Sequence, residues 1–540
     1  MRIPRVDDDV PSGHGWHAAA LGWGRWLRTA LLLPLLASIW LAEPTRAVPV
    51  DPVWLDASGR PNASAHDALR LLADAGADGL AARDYRAVEL AEKAAALDAA
   101  PNAASLPEPA FERELDAAMR RYLHDLRLGR LDPRTLGFRV ARASEAAPDV
   151  AALLRAAAAA GRLPQLVAEL RPQLGQYAKL RDALARYRVL AADGTLSQLP
   201  VAAPTKRGEV HCGGVALHRL LRALGDLPAD AAPPFDCNDA TLVDGLRRFQ
   251  TRHGLAADGA IRRVTLAALN VPIAHRVQQI ELALERLRWL PDLGARPFVG
   301  INIPMFRLWA WDPAAPAGAS ISMGVVVGRA LNTQTPVLSD DMRYLIFRPY
   351  WNLPRSIMRT EVLPALTRDP GYLQRNDMEI VRGAGDDAQA IAANDENLAG
   401  LRQGGLRLRQ RPGPKNSLGL VKFIFPNDAN VYLHDTPAPQ LFGRARRDFS
   451  HGCVRVEDPV ALAQWVLKDQ PRWTRERIEA AMAGTSSLRV DLTRPLPVVL
   501  FYMTAMVMPV DQTLHFADDI YGHDTRLARA LASRRVVTVF

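Results

Sequence analysis

Sequence periodicity changes character once, near residue 296, and that break sets the architecture. Before it, apolar residues recur at i, i+3 and i+4 over residues 67–77, 85–97, 111–126, 150–160 and 177–190, the spacing of amphipathic helices. After it, the apolar runs shorten and Pro and Gly crowd the connections. Residues 298–303, 306–311, 321–327, 343–347, 420–425, 431–433, 488–492 and 498–502 read as strands. The fold class predicted is α+β and multidomain: an all-α region followed by a mainly-β, sandwich-like domain. Residues 353–412 interrupt the strands with a polar, helical, Gly-rich insert, and long insertions beside active sites commonly act as lids.

At 540 residues the chain exceeds one ordinary core. The expected divisions are a leader over 1–47, a helical region over 48–205, a three-helix unit over 206–273 and a connecting helix over 274–295. The β-rich domain follows over 296–505, and a C-terminal segment with a turn and a closing helix fills 506–540. In the three-helix unit, 215–224 and 240–253 read as helices, Gly254 to Gly259 as a turn, and 265–270 as a short third helix. Leu246, Phe249 and Leu269 are its expected core.

The net charge of +9 raises nucleic acid as a partner. The basic residues are spread along helices without an aromatic-flanked block, so nucleic acid is not expected. Arg25 and Arg28 precede an apolar run over 29–42 that is shorter than a comfortable membrane span, as in an export signal, with a tolerable cut after Ala47. An uncleaved inner-membrane anchor is the rival. Either places the rest outside the cytoplasm. Cys212 and Cys237 flank one expected helix and are candidates for a disulfide in an oxidising space. Cys453 would then be the odd, free thiol. Three cysteines without zinc-like spacing give no reason to expect a metal, and no cofactor is expected.

The chemistry concentrates at Ser450-His451-Gly452-Cys453-Val454-Arg455, with His434 upstream. A thiol needs to be ionised to attack, and a nearby histidine favours that. Gly452 permits close backbone approach or positive φ. Asp458-Pro459 starts a helix just behind, so Cys453 lies in a connection, where function concentrates. By itself a Cys-His pair is as readily a buried thiol and a polar turn residue as a nucleophile.

His434, a gap, then Ser450-His451-Gly452-Cys453 followed by an apolar residue resembles the signature of the L,D-transpeptidases, bacterial cell-wall enzymes of the YkuD-like fold. Arg455 stands where the family carries Asn or Arg. Arg348 to Pro354 and Val325 to Arg329 with Thr335-Pro336 resemble its large Gram-negative branch. The set Leu246, Phe249-Gln250, Gly254-Leu255, Asp258-Gly259, Thr265 and Leu269-Asn270 looks like a peptidoglycan-binding module, and the Ala- and Leu-rich region like a scaffold domain. The resemblance implies Cys453 as nucleophile and His434 as proton acceptor. His451 would then position the thiolate, Ser450 would orient an imidazole, and Gly452 would sit among backbone oxyanion donors. It implies substrate contacts for Arg455, Asn352, Trp351 and Tyr350, a periplasmic location, and a capping role for the insert. Partners implied are peptidoglycan stem peptides and glycan, together with cell-wall synthases. The implied reaction is 3→3 cross-linking through a cysteine thioester. L,D-carboxypeptidase or endopeptidase activity, lipoprotein anchoring, and a non-catalytic wall-binding scaffold stay open as alternatives. A papain-like protease expects the nucleophile early and the histidine late, the reverse of the order here.

Overall fold

The computed structural model describes residues 53–100, 108–140, 149–196, 214–232, 240–291, 293, 296–314, 319–330 and 333–534. The leader and both Cys212 and Cys237 lie outside the described residues, so neither expectation is tested. Among the described residues no helix is long and apolar enough to cross a membrane.

The helical region assembles as its periodicity predicts. Helices Ala63–Ala73, Ala87–Ala99, Glu108–Leu128, Val150–Ala159 and Leu163–Leu170 enclose Trp54, Tyr85, Tyr122 and a set of leucines. Asn62 caps the first helix by accepting from the Ala65 N–H. Helix Gly175–Ala192 leaves this core. Its Tyr177, Leu180, Leu184 and Tyr187 pack against Ile280, Ala283, Leu284 and Leu287 of helix Ile273–Leu287.

Helices Gly214–Leu224, Ala240–Arg252 and Arg263–Leu269 form the expected three-helix unit around Leu246, Phe249 and Leu269. Gln250 explains much of its motif. Its amide donates to the Ala260 carbonyl at 2.9 Å and to Thr265 at 3.2 Å, and accepts from the Gly259 N–H at 2.8 Å. These motif residues satisfy one another and hold the turn. Arg252 pairs with buried Asp226 at 2.7 Å and also donates to the Leu514 carbonyl at 2.8 Å. The unit is thereby docked onto the C-terminal hairpin described next.

Fifteen strands follow in chain order: β1 (Phe298–Asn302), β2 (Arg307–Trp311), β3 (Ala319–Gly328), β4 (Leu338–Phe347), β5 (Trp351–Asn352), β6 (Met378–Arg382), β7 (Gln389–Ile391), β8 (Arg407–Gln410), β9 (Val421–Ile424), β10 (Leu433–His434), β11 (Asp448–Ser450), β12 (Val454–Val456), β13 (Leu488–Phe501), β14 (Ala505–Val507) and β15 (Leu514–Phe516). The main sheet has nine strands in the order β11-β3-β12-β10-β9-β4-β13-β1-β2, and a β2–β3 pairing curls it back on itself. The two packed faces expected of a sandwich are thus opposite walls of one continuous sheet. Inside lie Val325, Val327, Leu345, Phe347, Phe423, Leu433, Val454 and Val456, all buried. Each such side chain contributes about 1.5–3 kcal/mol on burial.

The insert departs from the helical reading. Its helices share a core with strands, in a four-stranded sheet of order β5-β8-β6-β7. The strands are short and several face water, so they carry little apolar alternation to read. The C-terminal segment is part of the fold. The β14–β15 hairpin packs against helix Ile273–Leu287, and Arg286 of that helix pairs with buried Asp524 at the start of helix His523–Ala532.

Candidate active site

Cys453 sits in the tight connection between β11 and β12, and its thiol is the free cysteine among the described residues. The connection is built by its own side chain and by two distant segments. Ser450 Oγ donates to the Cys453 carbonyl at 2.5 Å and accepts from the Gly452 N–H at 3.1 Å. Gly452 has φ +114°, a conformation that side chains with a Cβ rarely adopt. Its carbonyl accepts from buried Thr335 Oγ1 at 2.8 Å. That hydroxyl also accepts from the Gly328 N–H, and Tyr521 Oη donates to the Gly328 carbonyl at 2.5 Å. A Cβ at Gly328 would run into the Thr333 backbone, so this close crossing requires glycine.

Two expectations change here. Ser450 does not orient an imidazole, because its hydroxyl is committed to the loop backbone. The Gly452 N–H is committed to Ser450, which removes it from the free donors of the loop.

β10 and β12 run parallel, with Leu433 beside Val454 and His434 beside Arg455. Alternation puts Tyr432, His434, Cys453 and Arg455 on the outer face, since Leu433 and Val454 fill the core. Tyr432 lies against the thiol and lowers its pKa a little, and Cys453 Sγ lies 3.9 Å from the Asn430 carbonyl. The Tyr432 and His434 rings meet edge to face at 5.9 Å. No hydrogen bond joins His434 to Cys453. His434 is buried, and its Nδ1 lies 2.5 Å from the Asp435 carbonyl. A carbonyl can only accept, so that contact puts the ring proton on Nδ1 and leaves Nε2 as the acceptor.

Burial pushes the Cys453 thiol above its ordinary range, against the smaller effects of Tyr432 and Arg455. Burial, then Arg455, pushes His434 down to about 3. The resting site therefore holds a neutral thiol and a neutral imidazole, without the charged pair that the motif alone suggests. One consequence is measurable. Alkylation of Cys453 by iodoacetamide needs the thiolate, so its rate will climb about tenfold per pH unit from pH 6 to pH 8. A plateau in that window would mean a thiolate already formed.

The remaining expected residues divide. His451 turns outward, and its Nε2 meets Glu361 Oε1 of the insert at 2.5 Å, tying the insert to the Cys453 loop. Trp351 packs on the core of the insert. Asn352 donates to Asp386 at 2.9 Å within the insert, with no contact to Cys453. Tyr350 stacks under Arg409, and its carbonyl faces Lys422. Tyr432, Thr335, Tyr521 and Lys422 were not singled out from sequence for roles at the site. Only Tyr432 had a readable signal, two positions before His434 on a strand.

Residues 297–485 match the L,D-transpeptidase catalytic domain family, and residues 49–184 match a family described as a scaffold domain. Over residues 297–485 the chain resembles the L,D-transpeptidase catalytic domain. A Haemophilus influenzae protein whose name places it among the L,D-transpeptidases is 29% identical over 278 residues, covering 51% of this chain and 54% of that relative. The chain thus spans about half the length of the relative it matches. The L,D-transpeptidase match includes Cys453, His434 and the whole insert over 353–412, while the three-helix unit lies outside both matched ranges.

Proposed function

We propose that this protein is an exported, periplasmic peptidoglycan L,D-transpeptidase that forms 3→3 cross-links through a thioester on Cys453. The observation that carries the reading is one free thiol on the same sheet face as an imidazole whose Nε2 is an acceptor, inside a matched L,D-transpeptidase domain. The thiol proton goes to His434 Nε2 as sulfur attacks the amide carbonyl before the terminal D-residue of a tetrapeptide stem. Substrate binding must close the gap between sulfur and ring. With the Gly452 N–H committed to Ser450, the Cys453 and His451 N–H groups are left to receive the developing oxyanion. The C–N bond breaks, His434 returns its proton to the leaving amine, and a thioester remains. A neighbouring stem amine, that of diaminopimelate, then attacks. It gives its proton to His434, and the thiolate departs and is reprotonated.

Incubation of the full chain with disaccharide-tetrapeptide, followed by mass analysis, tests this reading. A cross-linked dimer with loss of one D-residue is expected. Tripeptide alone would make the enzyme a carboxypeptidase, and transfer to a lipoprotein lysine would make it an anchoring enzyme.

A further inference from the structure

The outer face beside Cys453 carries positive charge that no ion pair among the described residues neutralises. Lys422 on β9 lies beside His434 on β10, which lies beside Arg455 on β12. Strands stand about 4.8 Å apart, so Lys422 and Arg455 are roughly 10 Å apart at their backbones. Arg455 is largely enclosed, its Nε is buried without a partner, and Arg329 is its charged neighbour. Lys422 reaches only the Tyr350 carbonyl, at 3.5 Å, and burial lowers its basicity while Asp386 of the insert opposes that from a distance. Neither Lys422 nor Arg455 has an ion pair among the described residues. Asp435, next along β10 from His434, is spent on the Leu420 and Thr436 N–H groups. His434 between them is neutral.

Several enclosed arginines elsewhere are paired, although Arg276 is buried with only Gln279 and a carbonyl as partners. Arg252 is held by Asp226, Arg286 by Asp524 and Arg288 by Glu285. Enclosing an unpaired charge is expensive, and it persists where a ligand supplies the counter-charge. Arginine suits a carboxylate with two hydrogen bonds, and lysine suits one as a point charge.

We propose that Lys422 and the Arg329–Arg455 pair bind two different carboxylates of one stem peptide, on either side of His434. This rests on the reading of Cys453 as acylated by a peptidoglycan stem, and it adds a second anchoring point, Lys422, to the carboxylate contact expected of Arg455. The two posts fix the register of the peptide along the sheet, so that the scissile carbonyl meets the sulfur.

The test uses the full chain with Cys453→Ala, so that binding is read without chemistry. Calorimetry measures affinity for the tetrapeptide and for versions with one carboxylate amidated at a time. Lys422→Met will weaken the fully ionised peptide about tenfold or more, and will change little for one amidated form. Arg455→Met will do the same for a different amidated form. Equal affinities for Lys422→Met and its parent would overturn the proposal. So would a loss shared evenly by all forms, or no binding of the tetrapeptide to the parent. Lys422→Gln serves if the Met variant melts early. Failure of the thioester reading shows separately, as absence of an adduct on the unsubstituted enzyme.

Discussion

Replacing Cys453 by Ala will reduce acylation by a tetrapeptide stem to background while the protein melts as before. The side chain is partly buried on the outer face of the sheet, and its hydrogen bond is a long approach to the Asn430 carbonyl, so its loss leaves no cavity in the sheet core. The loop around it is held by Ser450, Thr335 and Tyr521, none of which uses the sulfur. Intact-protein mass after incubation reads the result directly. A surviving adduct in the Ala variant would remove Cys453 from the mechanism.

Replacing His434 by Gln will lower the acylation rate by about 10²–10⁴, the usual contribution of a positioned general base. The pH dependence separates this from a loss of folding. His434 titrates at about 3, so its acceptor nitrogen is available at every pH above roughly 4. Acylation of the unsubstituted enzyme will therefore vary little from pH 5 to pH 8, although its thiol alone ionises only at higher pH. In the Gln variant, attack must wait for thiolate formed by solvent, and the rate will rise steeply with pH. Parallel profiles for the two proteins would show that His434 does not take the proton. His434 is buried, so thermal melting of the variant is read alongside its rate.

The sequence carried the reactive segment because its parts are contiguous. Ser450 to Cys453 fold as one turn, and a helix capped by Asp458 follows as its proline predicts. The helical region was equally legible, since leucines at helical spacing bury one face whatever they pack against. What could not be read depends on pairing between distant segments. Thr335 and Tyr521 reach the Gly452 loop because β3 lies between β11 and β12, and nothing local announces that register. Lys422 gains its place only from lying across from His434. Ser450 looked free to serve an imidazole, yet a hydroxyl two residues from a positive-φ glycine is better placed to close the turn. The strands of the insert are not legible in the sequence because they are short and carry Arg, Gln and Glu among their apolar residues. The family resemblance implies substrate contacts for Trp351 and Asn352, and both lie on β5, paired with β8 in the sheet of the insert.

The neutral pair at rest also changes the expected order of events. A thiol pushed upward and an imidazole pushed downward cannot exchange a proton until something stabilises the products of that exchange. A bound stem can supply this by bringing the electrophilic carbonyl to the sulfur and its carboxylates to Arg455 and Lys422. That arrangement protects the thiol from small oxidants and electrophiles between turnovers, since the neutral form reacts slowly.

The most direct measurement is peptide mapping of the trapped acyl-enzyme after brief incubation with tetrapeptide stem at neutral pH. The account predicts a single adduct, the mass of the stem less its terminal D-residue and water, on the fragment containing Cys453, labile to hydroxylamine as a thioester is. An adduct on any other residue, or release of the D-residue with no enzyme-bound acyl group, would contradict it.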